Sequence, residues 1–494
     1  MPDAVQDLYQ AQAYPAMSHP SCDPAITSVA AKLAGLTVPP PSCSHILEIG
    51  CASGHNLISL AQRWPDSRFT GLDFSSAAIR QARETATLAG LTNIEFIEAN
   101  LLGFDPGEVE YDFILAHGVY SWVPADVRQA LVDFCARHLS EAGIATISYN
   151  TLPGWLARQA IVELVNQLKT RPVAKDIGGD PVGILTYLAT VPAPDTPQAT
   201  YLNSVLHDMF AKSADILSFD EFAPLNTPVT FREFIAHTHA AGLRYLGESQ
   251  LDANFPTSLP EGAAEQLAPL AADPLMLQQT IDVLTNRTFR SSLLCRANAP
   301  VDTQLTTATA LHFAVRILHT FERIPEGARL IDSSGQEQAR FEHPLAVAFF
   351  AALAETSPEA VPMQEVLERV AAIPAAEFDP TVSLPPVARL VLDAARRNLI
   401  ELRIEPVRFN SRIPRKPAFR SLHQLAIRRK QPLVDIFQTP CTMPESRRTL
   451  LHAMDGSRTV EELVALGHAE DPRLDVRAWL AHLAKRGLLT EVAG

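Results

Sequence analysis

Two stretches of this 494-residue chain carry side chains whose types and spacing can do chemistry. The first is Leu47-Glu48-Ile49-Gly50-Cys51-Ala52-Ser53-Gly54. Small residues at 50, 52 and 54 let the backbone turn tightly and approach a ligand closely. A helix starting just beyond Gly54 would present free N–H groups to a carboxylate. Asp73 follows Gly54 by 19 residues, near the usual offset for an acid that accepts from a ribose hydroxyl. A dinucleotide fingerprint, G-x-G-x-x-G, needs glycine at 50, 52 and 55, where this chain has Gly50, Ala52 and His55. Two of the three positions fail, so the acid and the turn point to a single nucleoside.

The second is a pair of aromatic segments, His117-Gly118-Val119-Tyr120-Ser121-Trp122-Val123 and Tyr149-Asn150-Thr151-Leu152-Pro153-Gly154-Trp155. Faces of Tyr120, Trp122, Tyr149 and Trp155 favour a cationic group by about 0.5–2 kcal/mol each. Asn150, His117 and the tyrosine hydroxyls can orient an amine lone pair. The competing reading is plain core packing, which buried tryptophans and tyrosines often serve.

These residues need a scaffold, and the pattern from His45 to Tyr149 supplies one. Short β-like runs (45–50, 68–73, 93–99, 111–116, 143–149) alternate with helical candidates near 54–64, 75–89 and 124–141. In the last, Val127, Ala130, Leu131, Phe134 and Leu139 recur at roughly helical spacing, and Pro124 suits a first turn. Such alternation predicts an α/β, doubly wound parallel sheet with right-handed crossovers. Ligands then sit beyond the carboxyl ends of the strands, the edge from which both aromatic segments leave. Proline and glycine interrupt the region around 172–197, after which 201–300 and 303–400 read as mainly helical. The tail opens with Ser411–Lys430, which holds seven Lys/Arg and no acid. It is predicted as a solvated inter-domain segment, since beyond Phe419 it lacks the interleaved aromatics of an RNA-binding stretch.

The Glu-x-Gly-x-Ala-x-Gly order of 48–54 resembles motif I of class I S-adenosylmethionine-dependent methyltransferases. Ala52 departs from that motif's usual second glycine. That class commonly has an acid near adenine where Phe96-Ile97-Glu98-Ala99-Asn100 stands; Asn100 is the departure, though its amide oxygen can still accept from the adenine amino group. Both aromatic segments, with Ala223-Pro224-Leu225-Asn226-Thr227-Pro228, Gly242–Glu248, Asn286-Arg287-Thr288-Phe289-Arg290 and Leu293-Leu294-Cys295, resemble a narrower group. These are the bacterial methyltransferases with a methyltransferase regulatory domain, which include rickettsial enzymes that methylate lysines of an outer-membrane protein. The likeness covers most of 1–300 and fades to sparse matches such as Met454–Arg458.

The resemblance implies a Rossmann-like methyltransferase domain with an N-terminal arm (1–200), a regulatory domain (201–300), a helical middle domain (301–400) and a C-terminal domain (401–494). It implies S-adenosyl-L-methionine as cofactor, held by Glu48, Gly50, Ala52, Gly54, Asp73, Asn100, His117 and, from a Tyr-Pro arm, Tyr14. His117, Tyr120, Trp122, Tyr149, Asn150 and Trp155 would serve the transfer. Helical domains that help form a homodimer and present a protein substrate are also implied. An in-line transfer needs an uncharged nucleophile about 3–3.5 Å from the methyl carbon. A lysine of pKa near 10.4 must first lose its proton, which an aromatic pocket promotes by desolvation. Methylation of a small molecule at nitrogen or oxygen, and a non-catalytic cofactor-binding regulator, stay open beside protein lysine methylation.

Composition narrows the setting. With 41 Lys/Arg against 55 Asp/Glu the net charge is −14, which argues against a nucleic-acid partner. The six cysteines show no Cys-x-x-Cys and no zinc spacing, and His237 and His239, two apart on a helix, cannot pair on a metal. Scattered reduced thiols predict the cytoplasm. MPDAVQDLYQ is not a secretory signal, and the longest apolar runs are half of a membrane span.

Overall fold

The computed structural model describes residues 14–254, 259–260, 262–302, 304 and 306–491; the opening segment MPDAVQDLYQ lies outside them. Seven strands form one sheet in the order β3-β2-β1-β4-β5-β7-β6. They are β1 His45–Ile49, β2 Arg68–Asp73, β3 Ile94–Glu98, β4 Tyr111–Ala116, β5 Leu139–Asn150, β6 Leu243–Glu248 and β7 Phe289–Arg296. Neighbours among β1 to β5 pair in parallel. β7 runs antiparallel to both β5 and β6. Helices His55–Arg63, Ser76–Leu88 and Ala125–His138 make the first crossovers.

The strands read as continuous apolar runs because both faces are covered. Ile46, Phe113 and Ile144 pack to one side, with Leu57 and Ile58 of the first crossover helix. Leu47, Ile114, Ala145, Ile147 and Tyr149 pack to the other, with Phe134 and Phe234. The direction of winding reverses between β1 and β4, so their carboxyl ends border a crevice.

The span 201–300, expected as a unit of its own, supplies the last two strands of this sheet. β7 pairs with β5 from Ala145↔Leu294 to Asn150↔Phe289 and so covers an edge that would otherwise be open. Arg290, fully buried, fastens that edge: its guanidinium donates to Asp282 and Glu248 and to the backbone oxygen of Gln278. Arg290 of the Asn286–Arg290 motif is thus structural. Helices Trp155–Lys169, Pro181–Thr190 and Pro197–Phe210 straddle position 200 around a small core of Val165, Ile184, Leu185 and Met209.

The middle region is not simply helical, as its sequence had suggested. Thr320–Ile324, Gly327–Ile331 and Glu337–Phe341 form an antiparallel sheet. Asp332 Oδ1 accepts from the N–H groups of Ser334 and Gln336, which together with Gly335 turns the last hairpin. Those short, charge-bearing strands are hard to see beside the alanine-rich helices. The basic segment is also docked rather than merely solvated. Pro417–Phe419 pairs with Leu489–Glu491, and Arg429 reaches Glu84 (3.0 Å) and Thr85 (2.6 Å). Among the described residues no helix is long and apolar enough to cross a membrane, and no cluster of His, Cys, Asp and Glu could hold a metal ion.

Candidate active site

Between β1 and its helix the chain turns through three left-handed residues, Gly50 (φ +74°), Ala52 (φ +46°) and Gly54 (φ +73°). The N–H groups of Gly50 and Cys51 donate to Leu72 O of β2, pinning the turn to the sheet. A Cβ at Gly54 would stand 2.6 Å from the Phe96 ring. Gly54 therefore permits the helix to pack; it does not line the cavity beyond the strands. That cavity, about 440 Å³, is lined by Glu48, Gly50, Ala52, Asp73, Asn100, His117, Tyr14 and Trp122 among others.

Each polar wall has a distinct character. Glu48 accepts from Asn56 Nδ2 (2.9 Å) at Oε1, while its buried Oε2 has no hydrogen-bond partner. Burial pushes this carboxyl up to about 8. Asp73 accepts from the N–H of Ala52 (2.9 Å) at Oδ2 and from the N–H of Ser75 (2.8 Å) at Oδ1. Burial raises its pKa, and those N–H groups pull it back. Asn100 Oδ1 accepts from the N–H of Leu102 (3.0 Å), capping a single helical turn. That oxygen keeps a second lone pair for an adenine amino group, and the amide nitrogen offers a donor beside it.

A second cavity, about 280 Å³, shares Tyr14, Met17, His19, His117, Gly118 and Trp122 with the first. It adds Asn150, Trp155, Arg158, Lys212, Phe219, Asp220, Thr288 and Phe289. The Trp122 and Trp155 rings meet edge to face at 6.1 Å. At the shared wall His117 stacks on His19 of the N-terminal arm. Burial brings His117 down to about 4; burial, then His117 and His55, lower His19. Both imidazoles are neutral near pH 7.

Two expected site residues are elsewhere. Tyr149, 1% exposed, stacks on Phe234 at 3.9 Å, and its hydroxyl lies 3.2 Å from Ser292 Oγ. Strand alternation explains this: Tyr149 shares the face of Ile147, so its neighbour Asn150 takes the side with the cavity. Tyr120 turns into the same core and pairs with His237 Nδ1 at 2.7 Å, which also gives that histidine a structural role. Conversely, sequence reasoning placed His19 only on the N-terminal arm and did not single out Asn56 or Phe289 for the site. Asn56 had a usable signal, since the second residue of a helix following such a turn sits close to the strand-end acid.

The strand order, with its antiparallel seventh strand, and a nucleoside cradle at the switch point define the class I methyltransferase fold. Comparison with known proteins agrees. Residues 46–143 match the family model described as a methyltransferase domain, and residues 213–296 match that of the "Predicted methyltransferase regulatory domain". An uncharacterised protein of Rickettsia prowazekii is 31% identical over 321 residues, covering 64% of this chain and 57% of that protein. A Synechocystis protein is 28% identical over 254 residues, 50% of each. The chain thus spans about half the length of these curated relatives. Trans-aconitate 2-methyltransferase of Rhodopseudomonas palustris is 40% identical over 79 residues, 16% of this chain and 28% of that enzyme. The structure of PKMT2 from Rickettsia typhi in complex with AdoHcy superposes with a TM-score of 0.84 at 20% identity, over 96% of this chain and 99% of that one. This likeness establishes a shared fold.

The chain therefore carries a class I methyltransferase domain joined to a methyltransferase regulatory domain, and the cofactor of this fold is S-adenosyl-L-methionine. The residues present fit it. The unpartnered Glu48 oxygen suits an ammonium, Asp73 a pair of ribose hydroxyls, and the glycine turn a close-lying chain.

Proposed function

We propose that the protein is an S-adenosylmethionine-dependent methyltransferase that methylates lysine side-chain amines of a protein substrate. The observation that carries this reading is the joining of the two cavities at His19, His117 and Trp122, a cofactor cradle on one side and an aromatic pocket on the other. When bound, the cofactor supplies an electrophilic methyl group on a sulfonium.

Everything else falls to the chain. Glu48 and Asp73 hold the two polar ends of the cofactor. Trp122, Trp155 and Phe289 exclude water from an incoming amine and so favour its neutral form. Asn150 is held by Asn226 Oδ1 (3.0 Å) and by Ser121 Oγ, and its amide stands at the acceptor wall to orient the amine. The neutral rings of His19 and His117 offer hydrogen-bond acceptors at the shared wall, and the departing proton passes to water. No catalytic triad is needed. The cytoplasm is the setting we assign, supported by six cysteines without a disulfide.

The test is incubation of the purified protein with lysate and radiolabelled methyl donor. Label in protein bands, resolved by mass spectrometry to methylated lysine, supports the proposal. Label confined to the small-molecule fraction points to a metabolite acceptor. Cofactor binding without S-adenosylhomocysteine formation points to a regulator.

A further inference from the structure

The C-terminal domain reaches the cofactor half-site through one side chain. Gln438 lies at the tip of the hairpin built by Leu433–Val434 and Pro440–Cys441. It is 1% exposed and holds φ at +65°, a left-handed conformation that a residue with a Cβ keeps only when its surroundings demand it. The tip is braced from within: Asp435 Oδ1 accepts from the N–H groups of Phe437 and Thr439, both at 2.9 Å.

From that position Gln438 meets the helix behind the glycine turn. Its Nε2 donates to Asn56 O (3.0 Å), Asn56 Oδ1 (3.1 Å) and Ser59 Oγ (2.6 Å), two hydrogens shared among three acceptors. Its Oε1 accepts from Arg63 Nη2 at 3.0 Å. A guanidinium only donates and a carbonyl only accepts, so the neighbours determine which way the amide faces. Asn56 in turn donates to Glu48 Oε1 (2.9 Å) and accepts the N–H of His19 (3.0 Å). Ser18 Oγ donates to the backbone oxygen of Gln438 at 3.2 Å. One residue of the C-terminal domain thus holds both the acid that faces the cofactor and the arm that closes over it.

We propose that Gln438 is a positioning residue of the cofactor site, setting Asn56 so that Glu48 and His19 stand ready. The proposal rests on the reading of that cavity as the S-adenosylmethionine site. It gives the C-terminal domain a role in binding: without its hairpin tip, Asn56 loses a partner on both its backbone and its side chain.

Calorimetric titration of S-adenosylhomocysteine into the full chain tests this with Gln438→Ala, Gln438→Glu and Arg429→Ala. Arg429 ties the same domain to helix Ser76–Leu88 through Glu84 and Thr85 without touching Asn56. The two Gln438 variants should weaken binding about tenfold, because buried donors and acceptors are left unpaired, while Arg429→Ala stays within about twofold. Gln438→Glu keeps the acceptor for Arg63 but sets a carboxylate oxygen against Asn56 O and Oδ1, so it reports on Asn56 even if the alanine variant folds poorly. Wild-type affinity in both Gln438 variants, or equal loss in Arg429→Ala, overturns the proposal. Hydrogen exchange of residues 17–23 and 54–60 gives a readout independent of the ligand. Faster exchange there in Gln438→Glu supports the positioning role even if the wild type binds no S-adenosylhomocysteine, an outcome that would sink the cofactor reading alone. Unchanged exchange overturns the role.

Discussion

The rings of His19 and His117 lie face to face, 3.7 Å between centroids and inclined by 18°, at the wall that the two cavities share. Burial holds His117 near 4 against an ordinary value of 6.5. Between those values the unfolded chain binds the extra proton, so this residue's contribution to stability is full above pH 6.5 and is lost as pH falls toward 4. Urea midpoints at pH 7, 5.5 and 4 should drop more steeply for the wild type than for His117→Asn. Parallel curves would remove the buried neutral ring from the account.

Glu48 has the opposite sign. Its folded value of about 8, against 4.5, means the free protein keeps a proton there that the unfolded chain has lost between those values, so its contribution to stability declines as pH rises through that window. An ammonium placed against it draws out that proton. S-Adenosylhomocysteine affinity should therefore climb from pH 6 to 8, by up to about tenfold per unit, with proton release visible in buffers of different ionisation enthalpy. Glu48→Gln should flatten the dependence and remove the release.

Trp155 lines only the acceptor cavity, whereas Tyr149 lines neither. Trp155→Ala should raise the acceptor KM about tenfold, the scale of a lost aromatic packing contact, and leave S-adenosylhomocysteine affinity unchanged. Tyr149→Phe should cost about 1 kcal/mol of stability, the scale of one buried hydroxyl contact, and leave turnover unchanged. Steady-state kinetics with denaturant curves separate the two effects.

The turn at 50–54 predicts an asymmetry. Ala52 is an alanine at φ +46°, so Ala52→Gly removes left-handed strain of about 1–2 kcal/mol, partly offset by the freer unfolded chain. Stability should hold or rise slightly, and cofactor affinity should not fall. Gly54→Ala drives a methyl into Phe96 and should lose about 1–3 kcal/mol, read as a lower urea midpoint.

Arg290 sits fully buried over Phe231 at 4.3 Å, between Glu248 and Asp282. Arg290→Met should lose about 3–5 kcal/mol, since buried Glu248 is left without its cation and Asp282 keeps only Arg287 at 3.3 Å. A stable variant would show that β7 is held by its strand pairing alone.

Much of the cofactor half was legible beforehand. The five parallel strands and their crossover helices follow from hydrophobic runs and their spacing, and local sequence places Glu48, Gly50, Ala52 and Asp73 at one sheet edge. Where Asn100 stands was readable too, but that its oxygen also caps the turn at Leu102 is a matter of that turn's geometry.

The acceptor half was legible only as composition. Sequence marks 117–123 and 149–155 as aromatic, yet the pleat of β5 decides that Asn150 reaches the cavity and Tyr149 the core. His19 and His117 are 98 positions apart, and Gln438 and Asn56 are 382 apart. Local patterning is blind to such pairs, because they exist only once the arm and the C-terminal hairpin are packed against the same helix. What the amino-acid order determined by itself was the five parallel strands and the nucleoside turn, since local hydrophobic runs and closely spaced small residues mark them. Which side chains close the site, and which merely fill the core, was decided by packing between distant segments.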